Sequence, residues 1–359
     1  MQNIKSTWQR PLQGAICENC DWRYLLPPGQ ELPSCPHCYQ NTLTPLNDDD
    51  LDQVSAPELI LPFADAGERA EQQLHSFSRS FPFTPHDLQA KNLRRRLRRV
   101  YIPSWLVDSD VTAVWQAEAG FDYQVVSHQE SFKSGSWHTR EVKETKIRWE
   151  GRAGQLQRRY ENVPAPALEE MVGVRARLGS FDRQEAVPYA AETVQQSIVR
   201  LPNRDQIDAW PDTQPRFQEL AAQECRQAAG ADHIRQYRWQ AEYSNQNWSL
   251  LLLPVYSTWY VDDNQQPLPV LLNGRTGQFY GLKRASMKKA LRAAIILAAL
   301  AALLFLLTLA LLFVEPSLVV LTAILAFFTG ISAILPIAYV SRFNRAQDAD
   351  TPFSYRSNQ

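Results

Sequence analysis

An excess of charge of either sign is missing from this chain: 37 lysines and arginines face 38 aspartates and glutamates over 359 residues, leaving a net charge of −1. A balance that close gives no general attraction to nucleic acid or to an anionic surface, so any such binding has to come from a local patch. Long apolar runs are missing from the first 280 residues, and the opening MQNIKSTWQR has none either. No signal peptide is therefore expected, and the start of the chain is expected to stay in the cytosol. GxSxG, HExxH and glycine-rich phosphate loops are absent, and His75, His86, His128, His138 and His233 are scattered without a spacing that makes a site. No catalytic residue and no organic cofactor is assigned, and an enzyme is the disfavoured reading.

What the first 280 residues lack, the end of the chain has. Ala293 to Val314 is a run of 22 residues without a charge, and a second uncharged run extends from Pro316 to Ser341. At 1.5 Å per residue each is long enough to cross a hydrocarbon layer of about 30 Å. Lys283, Arg284, Lys288, Lys289 and Arg292 precede the first run, Arg342 and Arg345 follow the second, and the connection Glu315-Pro316-Ser317 has no basic residue. The positive-inside bias then puts both termini in the cytosol. Ala294, Ala298, Ala301 and Ala302 offer a small-residue face for close packing, while Gly330 and Pro336 soften the second helix. With no ionisable residue inside either run, an anchor is expected rather than a transport path.

The chain has five cysteines, and four fall in two pairs, Cys17-Glu-Asn-Cys20 and Cys35-Pro-His-Cys38, separated by fourteen residues. That spacing suits two knuckles whose thiolates close a tetrahedron around one structural Zn²⁺. Four thiolate ligands leave no open position for catalysis. An iron site of rubredoxin type uses the same ligands and stays open as an alternative, as does a redox or metal-sensing dithiol, whereas a cytosolic setting disfavours stable disulfides. His37, between two ligands, is read as a bystander. Cys225, in the amphipathic stretch RFQELAAQECRQAA, is read as a packing residue.

Between ribbon and anchor the chain is rich in aromatics, ten Trp and thirteen Tyr among them, which favours strands. Asn47-Asp48-Asp49-Asp50-Leu51-Asp52 reads as an acidic linker, and Glu58 to Phe63 as a short strand. A helix is expected from Thr84, as N-cap, to Val100. It would carry Lys91, Arg94, Arg95, Arg96, Arg98 and Arg99, candidate contacts for nucleic-acid phosphate or for lipid headgroups. Val107 to Tyr160 reads as two strands around a mobile polar loop, HQESFKSGSWHT. A second β block follows residue 233, with a tight hairpin turn at Asn273-Gly274 to Thr276-Gly277. Tyr101-Ile-Pro-Ser-Trp105 and Leu253-Pro-Val-Tyr-Ser257 each place proline in an apolar strand, which suggests an edge or bulge.

The paired CxxC motifs, the ELILPF strand, VYIPSWLVDSDVTAVWQAEAG, RRYENVPAP and above all LLPVYSTWYVDDNQQPLPVLLNGRTGQFYG resemble a group of bacterial zinc-ribbon membrane proteins often labelled TFIIB-type zinc-ribbon or primosomal protein N′-like. The resemblance extends over most of residues 15 to 285. It implies a ribbon, a β-rich cytosolic domain and a membrane anchor, and no catalytic residues. With no Walker A loop present, helicase activity is not carried over. The fold class expected is α+β: a zinc ribbon (1–46), an acidic linker (47–56), a β-rich soluble domain with a few helices (57–288), a two-helix transmembrane anchor (289–341) and a cytosolic tail (342–359). The function expected is a non-catalytic adaptor at a bacterial inner membrane with a protein partner. Membrane-tethered nucleic-acid binding is the alternative.

Overall fold

The computed structural model describes residues 8, 12–29, 31–46, 56–64, 67–133, 136–314 and 316–350. The acidic linker Asn47 to Asp52 and the end of the tail, 351–359, lie outside these. In chain order the elements are β1 (Gln13–Ile16), β2 (Arg23–Leu26), β3 (Thr44–Pro45), β4 (Leu59–Ile60), α1 (Gly67–Ser78), α2 (Ala90–Arg96), β5 (Arg98–Lys133) and β6 (Ser136–Ala165). There follow α3 (Met171–Leu178), β7 (Val187–Pro188), β8 (Ile198–Arg200), α4 (Gln206–Ala228), β9 (His233–Val261), β10 (Pro267–Asn273), β11 (Phe279–Gly281), α5 (Met287–Val314), α6 (Val319–Ser332) and α7 (Leu335–Asp350). The protein is a mixed α/β chain whose sheet runs β11-β10-β9-β5-β8-β2-β1-β3, with β6 added on β5 and β4 between β7 and β9.

Two compact units divide the chain, and they cut across the segments drawn from the sequence. The first comprises residues 1–103, 170–202 and 252–359, the second 104–169 and 203–251. The cysteine ribbon therefore belongs to the first unit instead of standing apart: β2 pairs with β8 (Tyr24↔Arg200, Leu25↔Val199), and β8 pairs in parallel with β5 at Val100 and Tyr101. Both prolines singled out above, Pro103 and Pro254, lie beside a point where the chain passes from one unit to the other. At Pro103 strand β5 leaves β8 and takes up β6 from Trp105 onward, so the missing N–H falls where the ladder changes partner.

In the first unit one apolar cluster holds Leu74 and Phe77 of α1, Leu93 of α2, Tyr256 and Tyr260 of β9, Val270 and Leu272 of β10, and Ala290 and Val340 of the C-terminal helices. The β10–β11 hairpin is closed by the expected turn, with Asn273 Oδ1 accepting from the Arg275 and Thr276 N–H groups and Gly277 at φ 73°. Gly281 on β11 lies under α1: a Cβ there would come within 2.6 Å of the Phe77 ring.

The expected helix over residues 84–100 is cut short. Only Ala90–Arg96 is helical, Leu97 turns extended, and Arg98 begins β5. Asp87, expected in the first turn, instead accepts hydrogen bonds from the Val261 N–H and the Arg96 guanidinium. Pairing of Val100 with Ile198 draws the rest into the sheet. Long-range partners outweigh local helix propensity here. The expected strand Glu58 to Phe63 is likewise reduced to Leu59–Ile60, paired with β7.

In the second unit β5 and β6 form a long antiparallel hairpin in register from Trp105↔Ala165 to Lys133↔Ser136, slipping once between Val107 and Ser109. The stretch read as a mobile loop is thus paired strand up to residues 133 and 136. Phe217 and Ala221 of α4 cover Val107, Val111, Ala113, Tyr160 and Val163. Helix α4 begins ten residues before the expected stretch and runs through Pro211 and Pro215. Burial of Ala209 and Thr213, with Trp210 set edge-on to Phe217, Tyr243 and Trp248, offsets the proline cost. Cys225 is buried in this helix, as a packing residue should be.

Helix α5 and the pair α6–α7 are each long and apolar enough to cross a membrane, and only 6 % of either apolar window is buried within the chain. The core helix of a soluble protein would be mostly covered, so this exposure associates the pair with a membrane. Gly330 faces Ala301, with 3.8 Å left for a Cβ, and Ala294 and Ala326 are buried, the close approach a small-residue face permits. The second helix breaks at residues 333–334, because Pro336 has no N–H for the Ser332 carbonyl.

Gly281→Ala is expected to lower stability by about 1–3 kcal/mol, since the methyl group must push aside the buried Phe77 ring. Thermal unfolding of the detergent-solubilised chain checks this. A melting temperature equal to wild type would mean that α1 does not lie against β11.

Candidate metal centre

Two tight turns carry the four cysteines, and their backbones match. In the first, Asp21 N–H donates to the Cys17 carbonyl (2.8 Å) and Asp21 is left-handed at φ 55°. In the second, Tyr39 N–H donates to the Cys35 carbonyl (3.0 Å) with Tyr39 at φ 58°. Each turn thus reverses at the fourth residue after its first cysteine and aims both sulfurs inward. A left-handed non-glycine residue is unfavourable by about 1–2 kcal/mol. Tyr39 offsets this by burying its ring, 7 % exposed, and by hydrogen-bonding Ser257 through its hydroxyl at 2.8 Å.

The sulfurs converge. Cys17 Sγ lies 3.5 Å from Cys38 Sγ, Cys20 Sγ 3.7 Å from Cys35 Sγ, and all four are within 4.8 Å of one another. Thiolates 2.3 Å from a tetrahedral metal stand about 3.8 Å apart, close to the two shortest separations here, so the cluster suits a four-coordinate ion. Zinc and iron both accept this donor set. Hydrogen bonds within the cluster hold the Cys38 thiol well below the usual range, Cys20 and Cys35 being the donors. Cys20 is pushed well above it by its hydrogen bonds to Cys35 and Cys38 and by burial. A bound cation would replace this shared proton arrangement with four thiolates.

The surroundings support the sulfurs. Cys35 Sγ lies 3.4 Å from both the His37 N–H and the Tyr24 hydroxyl. The His37 ring stacks on Trp22 (centroids 3.3 Å apart, planes 17° apart), so its place beside two ligands is a stacking one. Burial, with the Arg200 guanidinium nearby, lowers His37 to about 3 and keeps it neutral. On Trp22 also lies the guanidinium of Arg200, a buried side chain paired with Glu170. The second turn is tied down by Ser257 of β9, whose hydroxyl accepts from Tyr39 and donates to the Pro36 carbonyl at 2.9 Å.

Sequence reasoning singled out the four cysteines that the structure brings together and missed these supports. Two signals were available. Arg200 interrupts the apolar strand Ser-Ile-Val-Arg-Leu, and Ser257-Thr258 interrupts the apolar run from Leu250 to Val261. Polar groups at such positions are buried and need partners.

The six basic residues do not form one surface. Arg96 points inward, its Nη2 donating to Asp87 Oδ1 at 3.0 Å and its guanidinium lying 4.1 Å over Trp259. Arg99 lies over Phe63 at 4.8 Å. Arg98 and Arg99 belong to a strand, and Arg94 pairs with Glu71 at 2.9 Å. Lys91, Arg94 and Arg95 share the outward side of α2 and line a cleft with Glu71, Leu74 and His75. Burial alone would raise the Asp87 carboxyl, but the Arg96 and Val261 hydrogen bonds outweigh it and hold Asp87 below the usual carboxylate range.

Comparison of the chain with protein-family models, with curated proteins and with solved structures gives no match. The reading of the centre rests on its own geometry.

Replacing Cys38 by Ser is expected to abolish stoichiometric metal binding and to open the first 46 residues to protease, because so small a ribbon draws much of its folding free energy from the ion. Elemental analysis and limited proteolysis of the full chain read both. Asp87→Asn should destabilise the fold by about 1–3 kcal/mol at neutral pH. A depressed carboxyl contributes stability that is complete above its unfolded pKa of about 4 and is lost as pH falls through its folded value. The gap between wild type and D87N in thermal melts should therefore close on acidification below about pH 4.

Proposed function

We propose that this chain is a non-catalytic scaffold anchored in a bacterial inner membrane, holding a structural Zn²⁺ and presenting its cytosolic face to a protein partner. One observation carries the reading. A single stretch, Ser257 to Asp263 at the end of β9 and into the turn after it, hydrogen-bonds the metal turn at one end and the root of the apolar helices at the other. A centre attached in this way to an anchor is held at a fixed place above the bilayer. A closed tetrahedron of four thiolates has no vacant position, which suits a structural ion.

Two crossings, with both ends in the cytosol, agree with the charge pattern. Lys288, Lys289, Arg292, Arg342 and Arg345 gather at the end where the helices join the rest of the chain, and the Pro316–Leu318 turn has no basic residue. The resemblance to zinc-ribbon membrane proteins supports the same reading and is what favours Zn²⁺ over iron at the four cysteines. The nucleic-acid alternative is weakened by Arg96, which is engaged inward by Asp87 and Trp259, and by Arg99, which lies over the Phe63 ring.

The test is affinity purification of the tagged chain from alkali-washed, detergent-solubilised membranes, with and without nuclease, read by mass spectrometry and elemental analysis. We expect about one zinc per chain and a stoichiometric protein partner that survives nuclease and is lost from a Cys17→Ser/Cys20→Ser chain still in the membrane fraction. Release by the alkali wash would remove the anchored reading, and partners that vanish with nuclease would turn it toward nucleic acid.

A further inference from the structure

We propose that the cleft between α1 and α2 binds the headgroup of an anionic phospholipid, an inference that rests on the membrane reading above. The cleft is an open groove of about 590 Å³, with Leu74, His75 and Ala90 in its lining and Lys91, Arg94 and Arg95 along α2. Glu71, on α1, is its one carboxylate and already pairs with Arg94. Three fixed cations therefore face one anion. An apolar floor beneath a cationic edge matches a lipid, with hydrocarbon next to phosphate, whereas a bare phosphate group has no use for the floor.

The position of the cleft selects the same occupant. The segment joining α1 to α2 lies against the last apolar helix: Phe81 stacks on Phe343 with centroids 5.3 Å apart, and Phe83 stands 6.4 Å from Tyr339. The Phe83 carbonyl accepts from Ser286 N–H, one residue before α5 begins. Leu74 and Leu93 share a buried cluster with Ala290 and Val340. The cleft thus opens at the root of the anchor, on the same end as Lys288, Lys289, Arg292, Arg342 and Arg345, where a bilayer presents headgroups and not acyl tails. Single-stranded nucleic acid is held by aromatic stacking as well as charge, and the cleft offers the His75 imidazole but no Phe, Tyr or Trp as a platform.

The test measures binding of a fluorescent short-chain phosphatidylglycerol, and of the matching phosphatidylcholine, to the full-length chain in neutral detergent. Wild type is compared with a Lys91→Gln/Arg94→Gln/Arg95→Gln chain. An Arg140→Gln/Lys143→Gln/Lys146→Gln chain, which loses three cations from the β5–β6 hairpin, controls for net charge. The expected result is a wild-type preference for phosphatidylglycerol that falls roughly tenfold or more in the α2 variant, stays in the control, and collapses in 1 M salt. Equal affinity in wild type and the α2 variant overturns the proposal, and so does a wild-type chain with no preference between the two lipids. Displacement of the lipid by millimolar inorganic phosphate or by single-stranded RNA, with either then held at the same residues, also overturns it. Alkali extraction separates the two levels: a chain released from membranes ends the anchored reading, whereas one retained but indifferent to headgroup ends only this inference.

Discussion

The hydroxyl of Ser257 is the contact on which the first unit depends. It donates to the Pro36 carbonyl and accepts from Tyr39, so the second metal turn is fixed to β9 without any apolar core of its own. The next residues of the strand each hold something else. Thr258 donates to the Leu93 carbonyl of α2, and Trp259 lies under Arg96 and accepts from it. The Tyr260 hydroxyl donates to Leu282 O and accepts from Arg284 N–H, and Val261 N–H reaches Asp87. Asp263 then receives the Ser286 hydroxyl and the Lys288 N–H at the start of α5. Six positions within one seven-residue stretch therefore define where the metal turn, α2 and the first apolar helix sit. A buried hydroxyl left without its partner costs a good part of its desolvation, so these positions tolerate little change.

The far end of that series explains how the apolar helices are held to the rest of the first unit. Ser286 caps α5 by accepting from Lys289 N–H, while Asn344 of α7 grips both backbone atoms of Ala285. Arg284 adds a pair with Asp348. The helices are clasped at their polar end and exposed along most of their length, while Gly330 and Ala301 bring them close to each other. An anchor on a flexible tether would need none of these contacts.

Much of this was legible in the residues, for reasons that differ by element. The apolar runs announce themselves through length, and the cysteine turns through spacing, because both are local properties. The Asn273–Gly277 turn is legible for the same reason, since glycine supplies the left-handed residue. The helix expected from Thr84 fails because Asp87 and Val100 answer to Val261 and Ile198, which no local pattern reveals. The outer β5–β6 hairpin hides for another reason. In its outermost stretch polar residue follows polar residue, as in His128-Gln129-Glu130-Ser131, so the alternation that marks the strands up to Val126 and from Arg140 is absent there. The division into units could not be read along the chain because each unit is assembled from separated segments.

The distances along the chain also set an order of events. Cys17 and Cys38 are 21 residues apart, whereas Tyr39 and Ser257 are 218 apart. Closing the longer loop costs about 2 kcal/mol more in chain entropy. The two metal turns can close on an ion while the strand they will dock against is still unplaced, and a metal-loaded ribbon arrives at Ser257 already shaped. A metal ion bound by the four cysteines would thus act early, as a local nucleus, and without it β9 would meet a partner whose carbonyl and hydroxyl are not yet in position.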